Sequence, residues 1–247
     1  MNKINTSVNY IPVAEIFGPT IQGEGSEVGV KTLFLRVAGC DFKCSWCDSK
    51  FTWKITSTTK KYLDTELVDI LIQKCKETST RHIVITGGNP CLYDLDYLIS
   101  NLISKNIKVD IETQGSILPK WLTKVSTLVI SPKAPSSGMK DVYPILDDWF
   151  NSNTHLPPVV IKIPIFNDLD FTFAEKYYSL VQKYVSKYNI KFYLSVGNND
   201  VTEEGNISSK LLKSYSWLID KVMISSMEDV YVLPQIHTLV WGNKRGV

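Results

Sequence analysis

Three of the five cysteines, Cys40, Cys44 and Cys47, fall in the run Cys40-Asp-Phe-Lys-Cys44-Ser-Trp-Cys47-Asp-Ser. The C-x3-C-x2-C spacing lets one loop wrap a metal centre. Structural zinc wants four ligands, in two pairs well separated in the chain. Here there are three thiols, and no fourth ligand follows at a suitable distance. A [4Fe–4S] cluster normally takes four thiolates, so three would leave one iron open. An open position is where a substrate or cofactor binds, by the logic that separates catalytic from structural zinc. Zinc and a chance group of buried thiols stand as the alternatives. Cys75 falls on the apolar face of a helix and reads as core. Cys91, after Asn89-Pro90 at another strand end, is the one other thiol placed to be a fourth ligand. An odd cysteine count argues against a disulfide framework in a reducing compartment.

Other chemically able residues sit beside turns. Thr86-Gly87-Gly88-Asn89-Pro90 follows a buried apolar run. Two glycines there permit a tight turn and close backbone approach to a ligand. Glu112-Thr-Gln-Gly and Ser131-Pro132-Lys133 end the next two runs, and Ser195-Val-Gly-Asn-Asn a later one. Gly23 and Gly25 mark a turn presenting Gln22 and Glu24, whose donors and acceptors suit the edge of a guanine- or pterin-like ring. Arg36 offers a fork that matches a carboxylate. His82, at a strand start, and His155, in a loop, read as structural.

The elements that must position these residues follow from periodicity. Short runs rich in Val, Ile and Leu predict strands at Thr32–Val37, His82–Thr86, Lys108–Glu112, Thr127–Ser131, Val159–Ile163, Lys191–Ser195 and Lys221–Ile224. Helical spacing relates Leu63, Leu67, Ile70, Leu71 and Cys75. It also relates Leu95, Leu98, Ile99 and Leu102, then Phe173, Tyr177, Leu180, Val181 and Tyr184, then Leu211, Tyr215, Leu218 and Ile219. Asp64 or Thr65 is placed to cap the first helix and Asp94 the second. Strand–helix alternation implies a parallel α/β fold. About six units are too few for a closed eight-fold barrel, so the expected architecture is a partial, open (β/α)6-type barrel. Its chemistry should gather at the C-terminal ends of the strands, where the cysteines and the Gly-Gly turn lie. The 247 residues form one expected domain, 1–247, with no linker or repeat. The net charge is +2, from 27 basic and 25 acidic side chains, which gives no sign of a general nucleic-acid or membrane-surface binder. The polar Met1–Tyr10 stretch lacks an apolar signal region, and no apolar run is long enough for a membrane span. A cytoplasmic protein is expected.

C-x3-C-x2-C with an aromatic residue before the last cysteine resembles the radical S-adenosylmethionine superfamily. In that superfamily the open iron is chelated by the amino and carboxylate groups of S-adenosylmethionine, and reduction of the cluster yields a 5′-deoxyadenosyl radical. The Gly-Gly turn resembles the superfamily motif that binds the methionine amino group. Glu112 and Ser131-Pro132-Lys133 resemble its ribose and carboxylate contacts. The resemblance implies the radical-enzyme form of the open barrel, with cluster ligands Cys40, Cys44 and Cys47. It implies cofactor contacts at Trp46, Cys47, Asp48, Gly88, Glu112, Ser131, Pro132 and Lys133.

The stretches Glu15-Ile-Phe-Gly-Pro-Thr-Ile-Gln-Gly-Glu-Gly, Ala38-Gly-Cys-Asp-Phe-Lys-Cys-Ser-Trp-Cys-Asp-Ser, Thr86-Gly-Gly-Asn-Pro, Ser131-Pro-Lys and Gln235-Ile-His237 through Trp241-Gly to Arg245-Gly-Val247 together resemble the 7-carboxy-7-deazaguanine synthase family. That resemblance implies radical ring contraction of 6-carboxy-5,6,7,8-tetrahydropterin with loss of ammonia, toward queuosine and related 7-deazapurines. It implies substrate contacts at Ile21, Gln22, Gly23, Glu24, Arg36, Thr86, His237 and Val247. It further implies Mg²⁺ at Ser49, an electron donor such as flavodoxin or ferredoxin, and a homodimer. A glycyl-radical activating enzyme is the competing enzymatic reading, though the Gln22, Glu24 and Arg36 set is not expected in one. A cluster- or zinc-binding scaffold is the non-catalytic reading, and it has no need of the strand-end glycines and lysine.

Overall fold

Valine-, isoleucine- and leucine-rich runs become strands because branched side chains pack well on a pleated sheet. The computed structural model describes residues 9–247 except 199, 201, 204 and 206. Its strands are β1 (Tyr10–Ile21), β2 (Lys31–Val37), β3 (Lys60–Leu63), β4 (His82–Gly87), β5 (Lys108–Thr113), β6 (Thr127–Ile130), β7 (Val159–Ile165), β8 (Ile190–Val196) and β9 (Val230–Leu233). The helices are α1 (Asp64–Thr78), α2 (Asp96–Ser104), α3 (Tyr143–Ser152), α4 (Asp168–Val185), α5 (Ile207–Met223) and α6 (Ile236–Trp241). All nine strands join one sheet in the order β3-β1-β2-β4-β5-β6-β7-β8-β9. From β2 outward to β9 every neighbouring pair is parallel. β1 runs antiparallel to both β2 and β3. The sheet does not close, since β3 and β9 are its edges. The open-barrel expectation therefore agrees with the topology.

Side chains alternate across each strand, and the two faces carry different chemistry. Leu33, Leu35, Ile83, Ile85, Val109, Ile111, Leu128, Ile130, Ile161, Ile163 and Leu194 point into one continuous core. Helical residues at 3.6-residue spacing close that core: Leu67, Leu71 and Cys75 from α1, Leu98, Ile99 and Leu102 from α2, and Phe171, Tyr177 and Val181 from α4. The intervening strand positions include Thr32, Thr86, Asp110, Lys162 and Ser195, all buried and polar. A small second cluster of Val129, Val160 and Tyr193 shares that other face.

The predicted strand Lys221–Ile224 is not one. Lys221, Val222 and Met223 are the last turn of α5, and the following strand is β9. Its apolar residues continue the helical series Leu211, Leu218, Val222, so the 3.6-residue period overrides the local β-like composition. Sequence reading missed β1, β3, α3, β9 and α6. The first helix is capped differently from expectation: Leu63 is its N-cap, and the Glu66 carboxylate accepts from the Leu63 N–H at 2.9 Å. Asp94 does serve α2, accepting from the Asp96 N–H at 3.0 Å. Among the described residues no helix is long and apolar enough to cross a membrane.

Candidate active site

β2 delivers the cysteine loop to the strand ends. The Gly39 N–H donates to Thr52 O at 2.7 Å, the Cys40 N–H to Trp53 O at 3.2 Å, and the Cys47 N–H to Cys44 O at 3.1 Å. The far side of the loop is tied to residues 136–137. There the Ser45 N–H donates to Ser137 O at 3.0 Å, and Trp46 Nε1 donates to Ser136 Oγ at 3.0 Å. Trp46 also packs on Phe166 with ring centroids 4.7 Å apart. These contacts tie the loop on both sides, and it borders a cavity of about 420 Å³.

Cys40, Cys44 and Cys47 all line that cavity. Burial raises all three thiols above their ordinary 9.0, and Cys40 rises to about 11. They are therefore protonated near neutrality in the absence of a metal, so metal binding must release protons. Nearby Lys133 pulls Cys44 and Cys47 back toward the thiolate. Neither Cys91 nor Cys75 lines the cavity. Both belong to the core, and burial pushes the Cys91 thiol up to about 12. Cys91 therefore supplies no fourth ligand.

The Gly-Gly turn has a more specific reason than approach to a ligand. Gly87 has φ +127°, and a Cβ there would lie 2.3 Å from Val37 O. A Cβ on Gly88 would lie 1.9 Å from Gly39 O. The turn packs backbone to backbone against the cysteine loop, with Gly88 N–H donating to Val37 O at 3.0 Å and Asn89 N–H to Gly39 O at 2.8 Å. Asn89 and Gln114, not singled out from sequence, extend this tie. Their side-chain amides donate to Asp41 Oδ1 at 2.9 and 2.6 Å.

The cavity floor is polar. Glu112 accepts from Gln22 Nε2 at 3.0 Å and from Thr86 Oγ1 at 2.9 Å. It was expected on the cofactor side, yet it is bonded to two residues of the expected substrate set. Glu24 pairs with Lys162 and accepts from Gln235 Nε2. Burial alone would raise the Glu24 carboxyl, but Lys162 and His237, with hydrogen bonds from Lys162 and Gln235, hold it at about 2. Lys162 is pushed the other way: burial would lower it, and Glu24 and Glu112 raise it well above 10.5. Lys162 was missed in the sequence. Its one signal is a lone lysine inside the apolar strand Val-Val-Ile-Lys-Ile-Pro-Ile, a position where charge is rare unless paired. Gly23 packs on His237, since a Cβ at Gly23 would meet His237 Nδ1 at 2.2 Å.

Elsewhere in the lining, Arg36 donates from Nε to Glu15 Oε1 at 2.9 Å and from a terminal nitrogen to Ser49 Oγ at 3.0 Å. Arg245 Nε donates to Glu15 Oε2 at 2.8 Å. Ser49 Oγ donates to Asp48 Oδ1 at 2.9 Å. Lys133 donates to Ser131 Oγ at 2.9 Å and lies 5.6 Å from the centroid of the Trp46 ring, and burial lowers its ammonium. Ile21, His237 and Val247 also line the cavity, as do Ser195 and Asn198. Asn199 lies outside the described residues. Pro132 is the one predicted site residue that does not line it. It is buried between Ser131 and Lys133, as alternation along an extended chain requires.

A family model described as the radical SAM superfamily matches residues 35–157, the span holding the cysteine loop, the Gly-Gly turn and Ser131-Pro-Lys. The chain is 44% identical over 247 residues to 7-carboxy-7-deazaguanine synthase of Bacillus subtilis, covering 96% of this chain and 98% of that protein. It is 43% identical over 250 residues to the protein of the same name in Bacillus cereus, covering 97% and 100%. The crystal structure of QueE from Escherichia coli shares the fold, with a TM-score of 0.66 and 22% identity over 92% of this chain and 95% of that one. With near-complete coverage at this identity, and a three-thiol loop on an open barrel, the chain belongs to the 7-carboxy-7-deazaguanine synthase family of radical S-adenosylmethionine enzymes.

Proposed function

We propose that this enzyme contracts the ring of 6-carboxy-5,6,7,8-tetrahydropterin to 7-carboxy-7-deazaguanine, releasing one ammonia, for 7-deazapurine (queuosine-type) biosynthesis. The observation that carries the reading is one cavity lined both by the three thiols and by a set of charged and amide groups already paired with one another. Cys40, Cys44 and Cys47 hold the [4Fe–4S] cluster. When bound, cluster and S-adenosylmethionine supply a carbon radical that takes a hydrogen from the substrate. Trp46, Asp48, Gly88, Ser131 and Lys133 seat the cofactor. Gln22, Glu24, Glu112 and Lys162 meet the amino and oxo edge of the pterin, with Ile21, Gly23, Thr86, His237 and Val247 completing its walls. Dense internal pairing orients these groups before the substrate arrives, which limits the reorganisation that binding requires.

Arg36 takes the substrate carboxylate. In the free enzyme its fork spans Glu15 and Ser49, so a carboxylate entering beside Ser49 can replace the hydroxyl as acceptor. The same exchange frees Ser49 Oγ for Mg²⁺. Ser49 and Asp48 present hydroxyl and carboxylate oxygens side by side. Mg²⁺ prefers about six oxygens, so the substrate carboxylate, ring oxygen and water must supply the rest. The site fits the ion once substrate is present, when a carboxylate offsets the neighbouring Arg36 charge. A flavodoxin or ferredoxin supplies the electron, and the enzyme works as a cytoplasmic homodimer.

The test is anaerobic. The cluster is reconstituted and reduced, S-adenosylmethionine and 6-carboxytetrahydropterin are added, and product is followed by mass and absorbance. Magnesium-stimulated 7-carboxy-7-deazaguanine is expected. Deoxyadenosine without that product would discard the pterin assignment and favour an activating enzyme, while cofactor that fails to bind would favour a scaffold.

A further inference from the structure

The polar face of the sheet carries a second group of ligand-type side chains, at the opposite end of the strands from the cysteines. His82 opens β4, and Asp110 is the third residue of β5. Their side chains meet, with His82 Nε2 and Asp110 Oδ2 2.7 Å apart and both residues buried. Glu27 joins them from the short 3-10 turn Gly25–Glu27. One ligand atom from each of the three residues lies within 4.8 Å of the other two. Among the described residues no other trio of histidine, cysteine, aspartate or glutamate converges so closely.

A His–Asp hydrogen bond alone does not account for this arrangement. Asp110 is 3% exposed, and its second oxygen, Oδ1, has no hydrogen-bond partner. Buried carboxylate oxygens are ordinarily satisfied. Glu27 brings a second carboxylate to the same point. Its nearest cation, Lys108, stands 3.8 Å away and is largely in solvent. The imidazole is also oriented from behind, because Thr32 Oγ1 is hydrogen-bonded to His82 Nδ1. In the tautomer whose Nδ1–H donates to Thr32, Nε2 is left to ligate a cation beside the two carboxylates. Outer partners orient metal-binding histidines in this way.

We propose that Glu27, His82 and Asp110 bind a divalent cation of the zinc class, at a site separate from the cluster. One imidazole and two carboxylates form a familiar zinc donor set. The ion takes the place of the His82–Asp110 hydrogen bond, and the donors settle roughly 3.3 Å apart around it. It bridges the Gly25–Glu27 turn to β4 and β5. The residues just before that turn, Gln22 and Glu24, reach into the cavity, so the ion fixes the seat of the segment that carries them.

The test uses anaerobic holoenzyme with its cluster intact. The protein is treated with chelator, desalted and titrated with Zn²⁺, while iron and zinc per chain and the melting temperature are followed. The expected result is one zinc per chain above an unchanged iron content, with a rise of several degrees in melting temperature. Asp110→Asn should abolish that zinc. Glu27 is partly exposed, so Glu27→Gln keeps the test valid if the buried variant fails to fold, and it should weaken binding at least tenfold. Zinc uptake equal in wild type and Glu27→Gln would overturn the site. Zinc that enters only as iron leaves is held by the cysteines and would overturn it as well.

Discussion

Lys162→Met isolates the buried pair at the cavity floor. Lys162 and Glu24 have side chains 11% and 15% exposed, so solvent screens their attraction only weakly. Holding Glu24 at about 2 instead of 4.5 corresponds to roughly 3 kcal/mol at about 1.4 kcal/mol per tenfold. Removing one partner of a buried pair typically costs about 3–5 kcal/mol, so the two routes agree in size. The native carboxyl lies below its ordinary value. Its contribution is therefore complete above about pH 4.5 and is lost as pH falls toward 2. In Lys162→Met burial becomes the leading influence, and the carboxyl moves above 4.5. The variant should then be weakest at pH 8 and regain stability as acid protonates Glu24. Urea melts of cluster-loaded protein at pH 8 and pH 5.5 would measure this, expecting a loss of about 3 kcal/mol at pH 8 and less at 5.5. Adding Glu24→Gln should restore about 2 kcal/mol at pH 8 by removing the orphaned charge. A single-variant loss below about 1 kcal/mol with no pH dependence would refute the reasoning. So would a double variant no more stable than the single one.

Cys44→Ala should lose the cluster iron and all turnover, whereas Cys91→Ala should keep its full iron content and lose only some stability; iron analysis and thermal melts separate the two. Gly88→Ala drives a methyl group into Gly39 O and should lower cluster occupancy severalfold, read from iron content and cluster absorbance. Arg36→Ala should raise the KM for substrate at least tenfold and leave cleavage of S-adenosylmethionine measurable, and an unchanged KM would refute its role. Ser49→Ala should abolish magnesium stimulation while basal turnover persists, as a magnesium titration of initial rates would show.

The cysteine loop, the Gly-Gly turn and Ser131-Pro-Lys were legible because each is contiguous in sequence and follows a buried strand. Strand ends are where an α/β barrel gathers its chemistry. β1 was hidden because Gly18-Pro19 and Glu15 interrupt its apolar pattern, and its pairing with β2 shifts register twice. β9 is a four-residue edge strand with no fully buried residue, so it gives almost no alternation to read. The Glu24–Lys162 pair spans 138 residues, and the Glu27, His82 and Asp110 group is drawn from a turn and two strands, with β2 and β3 lying between Glu27 and His82 in the chain. No local pattern announces such meetings. Only a charge inside an apolar run, as at Lys162, hints that a partner must exist.

The alternation that builds the core also explains why the second face can be so polar. In β7, Ile161 and Ile163 go to the helices while Lys162 faces the cavity. After β6, Ser131 and Lys133 face the cavity and Pro132 does not. Two groups of charges on that face are matched with opposites: Lys162 with Glu24, and Arg36 and Arg245 together with Glu15. A buried charge removed from water without a partner would cost several kcal/mol, so these pairs are what make a charged interior compatible with folding. On the proposed function, substrate entry would exchange partners without exposing a bare charge, because the Arg36 fork can release the Ser49 hydroxyl for a carboxylate while Glu15 keeps hold of its other edge. That exchange would place the substrate carboxylate at Arg36 and leave the ring edge to Glu24, Lys162 and Glu112. In the proposed reaction a carboxylated pterin would be selected because both of its ends are read at once.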